Sequence, residues 1–380
     1  MGGEISLEND DSVELFDEKQ FAKKWKSSGL ADESMWGFFN SSYADLVESI
    51  LRPPANKGLP GRCRYTEKEL GPVAFTLDGV QYARKDFQIT NWKGQMIVCS
   101  HWKRTDEVEQ PCVIYLHSAT GSRVEATQVL PTVLRAGCTL VAFDFAGSGL
   151  SDGEHISWGW FEHNDCLDMV KLVRELKGTT AVALWGRTLG AAVALAYASK
   201  DRAIAAVVLD TPYSSLDEFI EQGVNYAKKH GVRIPKLILK VAIEVVSKSI
   251  KEKISRNFDA KKVAPINHAP MCSCPALFIA GTRDMNVPLT IAQSVMAAYK
   301  GQPKSMLLME GGTHFSLRTA DSLQPCGIFL KQVLPIATGT MTAAATATED
   351  GTGENQDRRD IDLPWIKENH FRIERLRSQA

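Results

Sequence analysis

Residues 183–198 read "ALWGRTLGAAVALAYA": an apolar run, a turn from Gly186 to Gly190, and a second apolar run. The first run is short and suits a buried strand, whereas the second has the alanines and leucines of a helix. Two glycines four positions apart permit a sharp reversal and close helix–strand packing around whatever stands between them. At the centre stands a hydroxyl, that of Thr188. The helix opening behind it turns its first backbone N–H groups toward the same place.

The same alternation extends to both sides. "CVIYLHS" (112–118), "TLVAFDFAG" (139–147), "AVALWG" (181–186), "IAAVVLD" (204–210), "PALFIAGT" (275–282) and "SMLLMEG" (305–311) read as short, nearly continuous apolar strands. Helical patterns separate them, among them "RVEATQVLPTVLRAG" and "NDCLDMVKLVRELKG". Such a series predicts a mostly parallel sheet covered by helices on both faces. Before it, "DGVQYARKDFQITNWKGQMIVCSHW" reads as strand, turn at 91–94, strand. Residues 211–270 interrupt the alternation with a mostly helical insertion, a cap placed between two core strands. Its Leu237, Val241, Val245 and Ile254 stripe reads as packing, and its interleaved lysines as a solvated face. The organisation is then a helical leader (1–70), an α/β domain (71–335, with the cap at 211–270), and a linker with a short docking segment (336–380).

Two further strand ends carry chemistry. Asp284 follows the strand ending at Gly281, and His314 follows the strand before Gly311-Gly312. Ligands and reacting groups of parallel sheets gather at the carboxyl ends of the strands, so Thr188, Asp284 and His314 are expected to converge. In order along the chain, "HSATGSR", "FDFAGSGLSDGE", "WGRTLGAA", "LDTPYSSL" and "GTRDMNVP", with His314, resemble the α/β-hydrolase superfamily. Within it they are similar to the serine aminopeptidase-like or acylglycerol-lipase-like group, over residues 70–335.

The resemblance implies a hydrolase of ester, thioester or peptide bonds that needs no cofactor or metal and acts on a small acyl or peptide substrate. It puts Thr188 at the nucleophile, Asp284 at the acid and His314 at the base. The backbone N–H groups of Leu189 and Ala119 would form the oxyanion hole. Asp210 is a second candidate for the acid, and Asp144 reads as a turn or cap residue. The chain departs from the family twice. His117-Ser118 stands where the family has His-Gly, and threonine replaces the nucleophilic serine. Two expectations follow: a slow hydrolase, or a scaffold that keeps the fold as a binding module.

The remaining composition excludes more than it assigns. With Lys+Arg 44 against Asp+Glu 45, the net charge of -1 offers no global field for nucleic acid. No apolar run reaches the length of a membrane span, and the acidic N-terminus does not suit a secretory signal. The eight cysteines are scattered without a C-x-x-C pair and read as reduced, buried thiols of a cytoplasmic protein. His101, His155, His163, His230 and His268 have no metal-like spacing and read as surface or loop residues. Gly2, in Met1-Gly2-Gly3-Glu4-Ile5-Ser6, fits a myristoylation pattern that would add weak membrane association. The tail around Trp365 is a candidate contact for a protein partner.

Overall fold

The computed structural model describes residues 65–229, 251–252, 255 and 257–336. Nine strands form one sheet: β1 (Ala74–Leu77), β2 (Val80–Thr90), β3 (Met96–Arg104), β4 (Gln110–Leu116), β5 (Thr139–Phe143), β6 (Thr179–Arg187), β7 (Ile204–Asp210), β8 (Ala276–Gly281) and β9 (Lys304–Met309). Their spatial order is β1-β2-β3-β5-β4-β6-β7-β8-β9. The pairs β1–β2, β2–β3 and β3–β5 are antiparallel, and every pair from β5 to β9 is parallel. The chain runs from β4 outward to β5, then returns past β4 to β6. The strand order therefore reverses at β4 and β6, which opens a crevice at their carboxyl ends.

Both faces of the central strands are buried because helices cover both. Along β4, Ile114 and Leu116 join one core cluster, while Val113 and Tyr115 join the other. The first cluster is closed by α2 (Glu162–Glu175), α3 (Leu189–Ala198) and α5 (Leu289–Ala298). The second is closed by α1 (Leu130–Arg135) and α6 (Gln324–Val333). Each large aliphatic side chain so removed from water contributes about 1.5–3 kcal/mol. The segment expected to form one helix from 123 onward is divided into a 3-10 turn at Arg123–Gln128 and α1. Pro131 stands in the first turn of α1, has no N–H, and cannot bond back to the preceding turn.

Between β7 and β8 the chain leaves the sheet and forms α4 (Leu216–Lys229). It returns through short 3-10 turns at Ala260–Lys262, Pro265–Asn267 and Ala269–Met271. The helix expected around Leu237, Val241, Val245 and Ile254 lies outside the described residues, as do His230, Gly2 and the tail with Trp365. Of the leader only residues from Tyr65 onward are described. Tyr65 and Leu70, on the near side of the expected boundary at 71, are both buried.

Tyr65 reaches into the domain. Its hydroxyl donates to Asp144 Oδ2 at 2.7 Å, and Asp144 also accepts from the N–H groups of Arg123 (2.7 Å) and Leu150 (2.9 Å). The Arg123 guanidinium donates to the Tyr65 hydroxyl, to the carbonyl of Cys99 and to Ser100 Oγ. Asp144 thus joins three segments instead of capping one turn. Among the described cysteines all seven are free and buried, and burial pushes each thiol up, which keeps it protonated and inert.

Candidate active site

Thr188 closes β6 and caps α3 with φ 50 and ψ -99. A β-branched residue in the left-handed region costs on the order of 1–3 kcal/mol, and surrounding structure must hold it there. Its N–H donates to the Asp210 carbonyl at 2.8 Å, and its own carbonyl accepts from Ala192 at 3.1 Å. The flanking glycines do not supply the left-handed residue; neither has a positive φ. They supply proximity. A Cβ on Gly190 would stand 1.8 Å from the Leu116 carbonyl oxygen, and one on Gly186 2.2 Å from the Gly190 carbonyl carbon.

The three residues singled out at strand ends converge. Thr188 Oγ1 lies 3.4 Å from His314 Nε2, and His314 Nδ1 lies 2.9 Å from Asp284 Oδ2. The other Asp284 oxygen accepts from the N–H groups of Asn286 (2.9 Å) and Val287 (2.8 Å), which fixes the carboxylate in its loop. All three side chains are buried. Asp210, the second candidate for the acid, is otherwise engaged: its two oxygens receive Arg318 Nε and Nη2, each at 2.8 Å. Burial pushes the Asp210 carboxyl up, but Arg318 and then Arg187 outweigh it and hold it below the usual carboxylate range.

The loop after β4 carries the other expected donor. Among the described residues, neither the Ala119 nor the Leu189 N–H has a hydrogen-bond partner. Ser118 is not left-handed, so its backbone does not require a glycine. Instead Ser118 donates twice to Glu125, from its N–H at 2.7 Å and its hydroxyl at 3.1 Å. His117 Nε2 accepts the Phe145 N–H at 3.0 Å, so its proton is on Nδ1, donated to the Ser118 carbonyl at 2.7 Å.

Beneath the site lies a buried ionic network whose pairing sequence reasoning did not assign. Arg187 Nη1 is 3.4 Å from Glu125 Oε1, and its Nε is 3.9 Å from Asp210. Its Nη2 donates to the carbonyls of His314 (2.9 Å) and Ser316 (3.1 Å). Two guanidiniums and two carboxylates, all nearly without solvent, balance one another: Glu125, Arg187, Asp210 and Arg318. The available signal was slight: Glu125 stands between apolar neighbours, and a buried charge must be paired, but every partner is distant in sequence. Thr211 was likewise missed. It has φ 50, and its hydroxyl lies 3.0 Å from Thr188 Oγ1.

Aromatic rings wall the far side of His314. Phe219 of α4 stands 6.2 Å from the His314 ring between centroids and also packs on Trp158 (5.1 Å) and Tyr213 (5.5 Å). A separate cavity of about 270 Å³, which Thr188, Asp284 and His314 do not line, is bordered by Trp92, Lys93, His155, Phe161 and Asp165. Burial pushes the Asp165 carboxyl up to about 6, against hydrogen bonds from the Ala146 N–H and Asn91. Of the histidines expected on surfaces or loops, His101 lies in β3 and His163 in α2.

A family model described as the alpha/beta hydrolase fold matches residues 111–229, from β4 through the elbow at Thr188 to α4. The chain has the α/β-hydrolase fold. Among curated relatives of this α/β-hydrolase-fold chain, the uncharacterized protein YqkD of Bacillus subtilis is 23% identical over 205 residues, 53% of this chain and 64% of its own length. The lysophosphatidylserine lipase ABHD12 of Rattus norvegicus is 24% identical over 181 residues, 44% of this chain and 42% of its own. The chain thus spans less than two thirds of the length of either relative. Among solved structures, the Pyrococcus furiosus esterase Pf2001 superposes with a TM-score of 0.54 at 22% identity, over 75% of this chain and 98% of that one. An acetyl xylan esterase from Paenibacillus sp. R4 gives 0.52 at 16%, over 67% and 84%. These likenesses are of fold.

Proposed function

We propose that this chain cleaves ester bonds by acyl transfer, with Thr188 as nucleophile, His314 as general base and Asp284 as the group that orients the base. One observation carries the reading: the continuous line of contacts from Thr188 Oγ1 to His314 Nε2 and from His314 Nδ1 to Asp284 Oδ2. The 3.4 Å contact is long, as such contacts are before substrate binds.

In the reaction, Oγ1 bonds to the ester carbonyl carbon while its proton passes to Nε2. The carbonyl electrons move onto oxygen, where the N–H groups of Leu189 and Ala119 would meet the charge. Collapse expels the alcohol, which takes the proton from Nε2. Water, deprotonated by the same nitrogen, then releases the acid and restores the Thr188 hydroxyl. Asp284 keeps the imidazole in the tautomer whose Nε2 lone pair faces Thr188. An ester, in preference to a thioester or peptide, is supported by what the similar proteins act on: one is a lipase and two of the superposed structures are esterases. The position of Phe219 against His314 supports reading the segment between β7 and β8 as a cap over the site.

A second reading, a scaffold without turnover, is favoured by one observation. Thr188 Oγ1 is nearer to Thr211 than to His314, in a site that leaves Thr188 1% exposed. A fluorophosphonate probe separates the two. Covalent labelling of the full chain, located at Thr188 by peptide mass spectrometry and lost in Thr188→Ala, is the result expected of an esterase. An unlabelled wild-type chain, folded and offered the probe in excess, would leave the scaffold reading.

A further inference from the structure

Thr211 follows Asp210 directly and is completely buried. Its N–H donates to the Ile279 carbonyl at 2.8 Å, which completes the pairing of β7 with β8. Its φ of 50 makes it, with Thr188, the second β-branched residue held left-handed at the end of neighbouring strands. Backbone strain of this kind persists where the surroundings over-determine it, and the two hydroxyls it brings together are 3.0 Å apart.

The direction of that hydrogen bond decides what Thr188 can do. The Thr188 hydroxyl has one proton and two acceptors in reach, Thr211 Oγ1 and His314 Nε2. In the neutral imidazole that acyl transfer requires, with Nδ1–H donated to Asp284, Nε2 has only a lone pair to offer. If Thr188 donates to Thr211, His314 receives nothing, and the Thr211 proton must find another acceptor. Among the described residues it has none, because Thr188 is the only hydrogen-bond partner of the Thr211 hydroxyl. If Thr211 donates to Thr188, each proton has a place: Thr211 to Thr188, Thr188 to His314, His314 to Asp284. A buried donor left unmade is costly, so the second arrangement prevails.

We propose that Thr211 is a positioning residue whose hydroxyl donates to Thr188 Oγ1 and so turns the Thr188 proton toward His314 Nε2. The proposal deepens the acyl-transfer reading and rests on it. It also gives Oγ1 a constant donor: when the ester carbon–Oγ1 bond breaks in the second half-reaction, Oγ1 keeps the electron pair, recovers its proton from Nε2, and is hydrogen-bonded by Thr211 throughout. Threonine is a hindered nucleophile, and a partner that selects its productive orientation offsets part of that hindrance.

The test uses the full chain with two variants. Thr211→Val keeps the shape and removes the hydroxyl; Thr211→Ser keeps the hydroxyl and removes the methyl. The readouts are the rate of fluorophosphonate labelling and, independent of activity, the three-bond couplings to the Thr188 methyl carbon, which report its χ1 angle by NMR. Thr211→Val should label about 10- to 100-fold more slowly and show averaged couplings. Thr211→Ser should label within about threefold of wild type with couplings of a single rotamer. If Thr211→Val loses its fold by circular dichroism, Thr211→Ala takes its place. Wild-type rate and couplings in the valine or alanine variant would overturn the proposal, and so would equal losses in the serine variant. If even the wild-type chain does not label, the acyl-transfer reading falls, and the couplings alone then decide whether Thr211 orients Thr188.

Discussion

Arg187 Nη2 donates to the backbone carbonyl of His314 at 2.9 Å, across 127 positions of sequence. The residue before the elbow threonine therefore holds the loop that carries the imidazole. The same guanidinium faces Glu125, which holds the Ser118 loop by two hydrogen bonds. One side chain thus fixes the separation of three segments that meet at the site.

Replacing Arg187 with methionine should leave Glu125 buried without its cation. Breaking a buried pair in this way costs about 3–5 kcal/mol, which urea denaturation would read directly. Arg187→Lys should recover little, because an ammonium cannot reproduce the fork that reaches Glu125 and both carbonyls. A lysine variant with wild-type stability and labelling would show that charge alone suffices.

Thr188→Ser should raise turnover and probe labelling by about ten- to a thousandfold, at about 1.4 kcal/mol of barrier per decade. Removing the methyl relaxes both the left-handed backbone and χ1. Thr188→Ala should abolish both signals. A silent serine variant would assign the limitation to the oxyanion loop or to access.

Asp284→Asn should lower turnover by about 10⁴ with little loss of fold. The remaining carbonyl oxygen can still serve the Asn286 and Val287 N–H groups, but Asn can offer an N–H to Nδ1 and favour the wrong tautomer. Asp210→Asn should do the reverse, destabilising the chain because Arg318 loses its carboxylate. Turnover surviving in Asp284→Asn would move the orienting role elsewhere.

Asp165 should make stability depend on pH. Its folded value of about 6 lies above the ordinary 3.8, so between these the native state holds a proton that the unfolded chain has released. Stability from this group is highest below that window and falls as pH rises through it, by on the order of 3 kcal/mol for about two units. The unfolding free energy of Asp165→Asn relative to wild type should accordingly rise between pH 4 and 7. A difference that stays flat across that range would contradict a buried, titrating Asp165.

The sequence revealed the fold where local pattern and final environment agree. The strand from Ile204 to Asp210 matches the expected 204–210, since an apolar run this short reads as a buried strand. The convergence of Thr188, Asp284 and His314 was legible for a related reason: strand ends of a parallel sheet share one edge. The break at Pro131 is hidden in the sequence, because apolar spacing on both sides continues the helical pattern across the missing N–H. The roles of Glu125, Arg187 and Arg318 were hidden because their partners are distant in sequence. A lone arginine between two glycines looks like any turn residue until Glu125 stands opposite. Thr211 was invisible for the same reason, being a threonine after a strand until its hydroxyl meets Thr188.

The contact between Gly190 and the Leu116 carbonyl has a consequence for recognition of the reacting oxygen. Leu189 immediately precedes that glycine, and Ala119 comes three residues beyond Leu116. The two N–H groups expected to receive the oxyanion therefore hang from the two sides of one tight backbone contact. The width of the receptacle between them is set as by a spacer, and the thickness of that spacer is a side chain that is not there. Adding a single methyl at Gly190 would push α3 off β4 and widen the gap by more than a hydrogen bond tolerates.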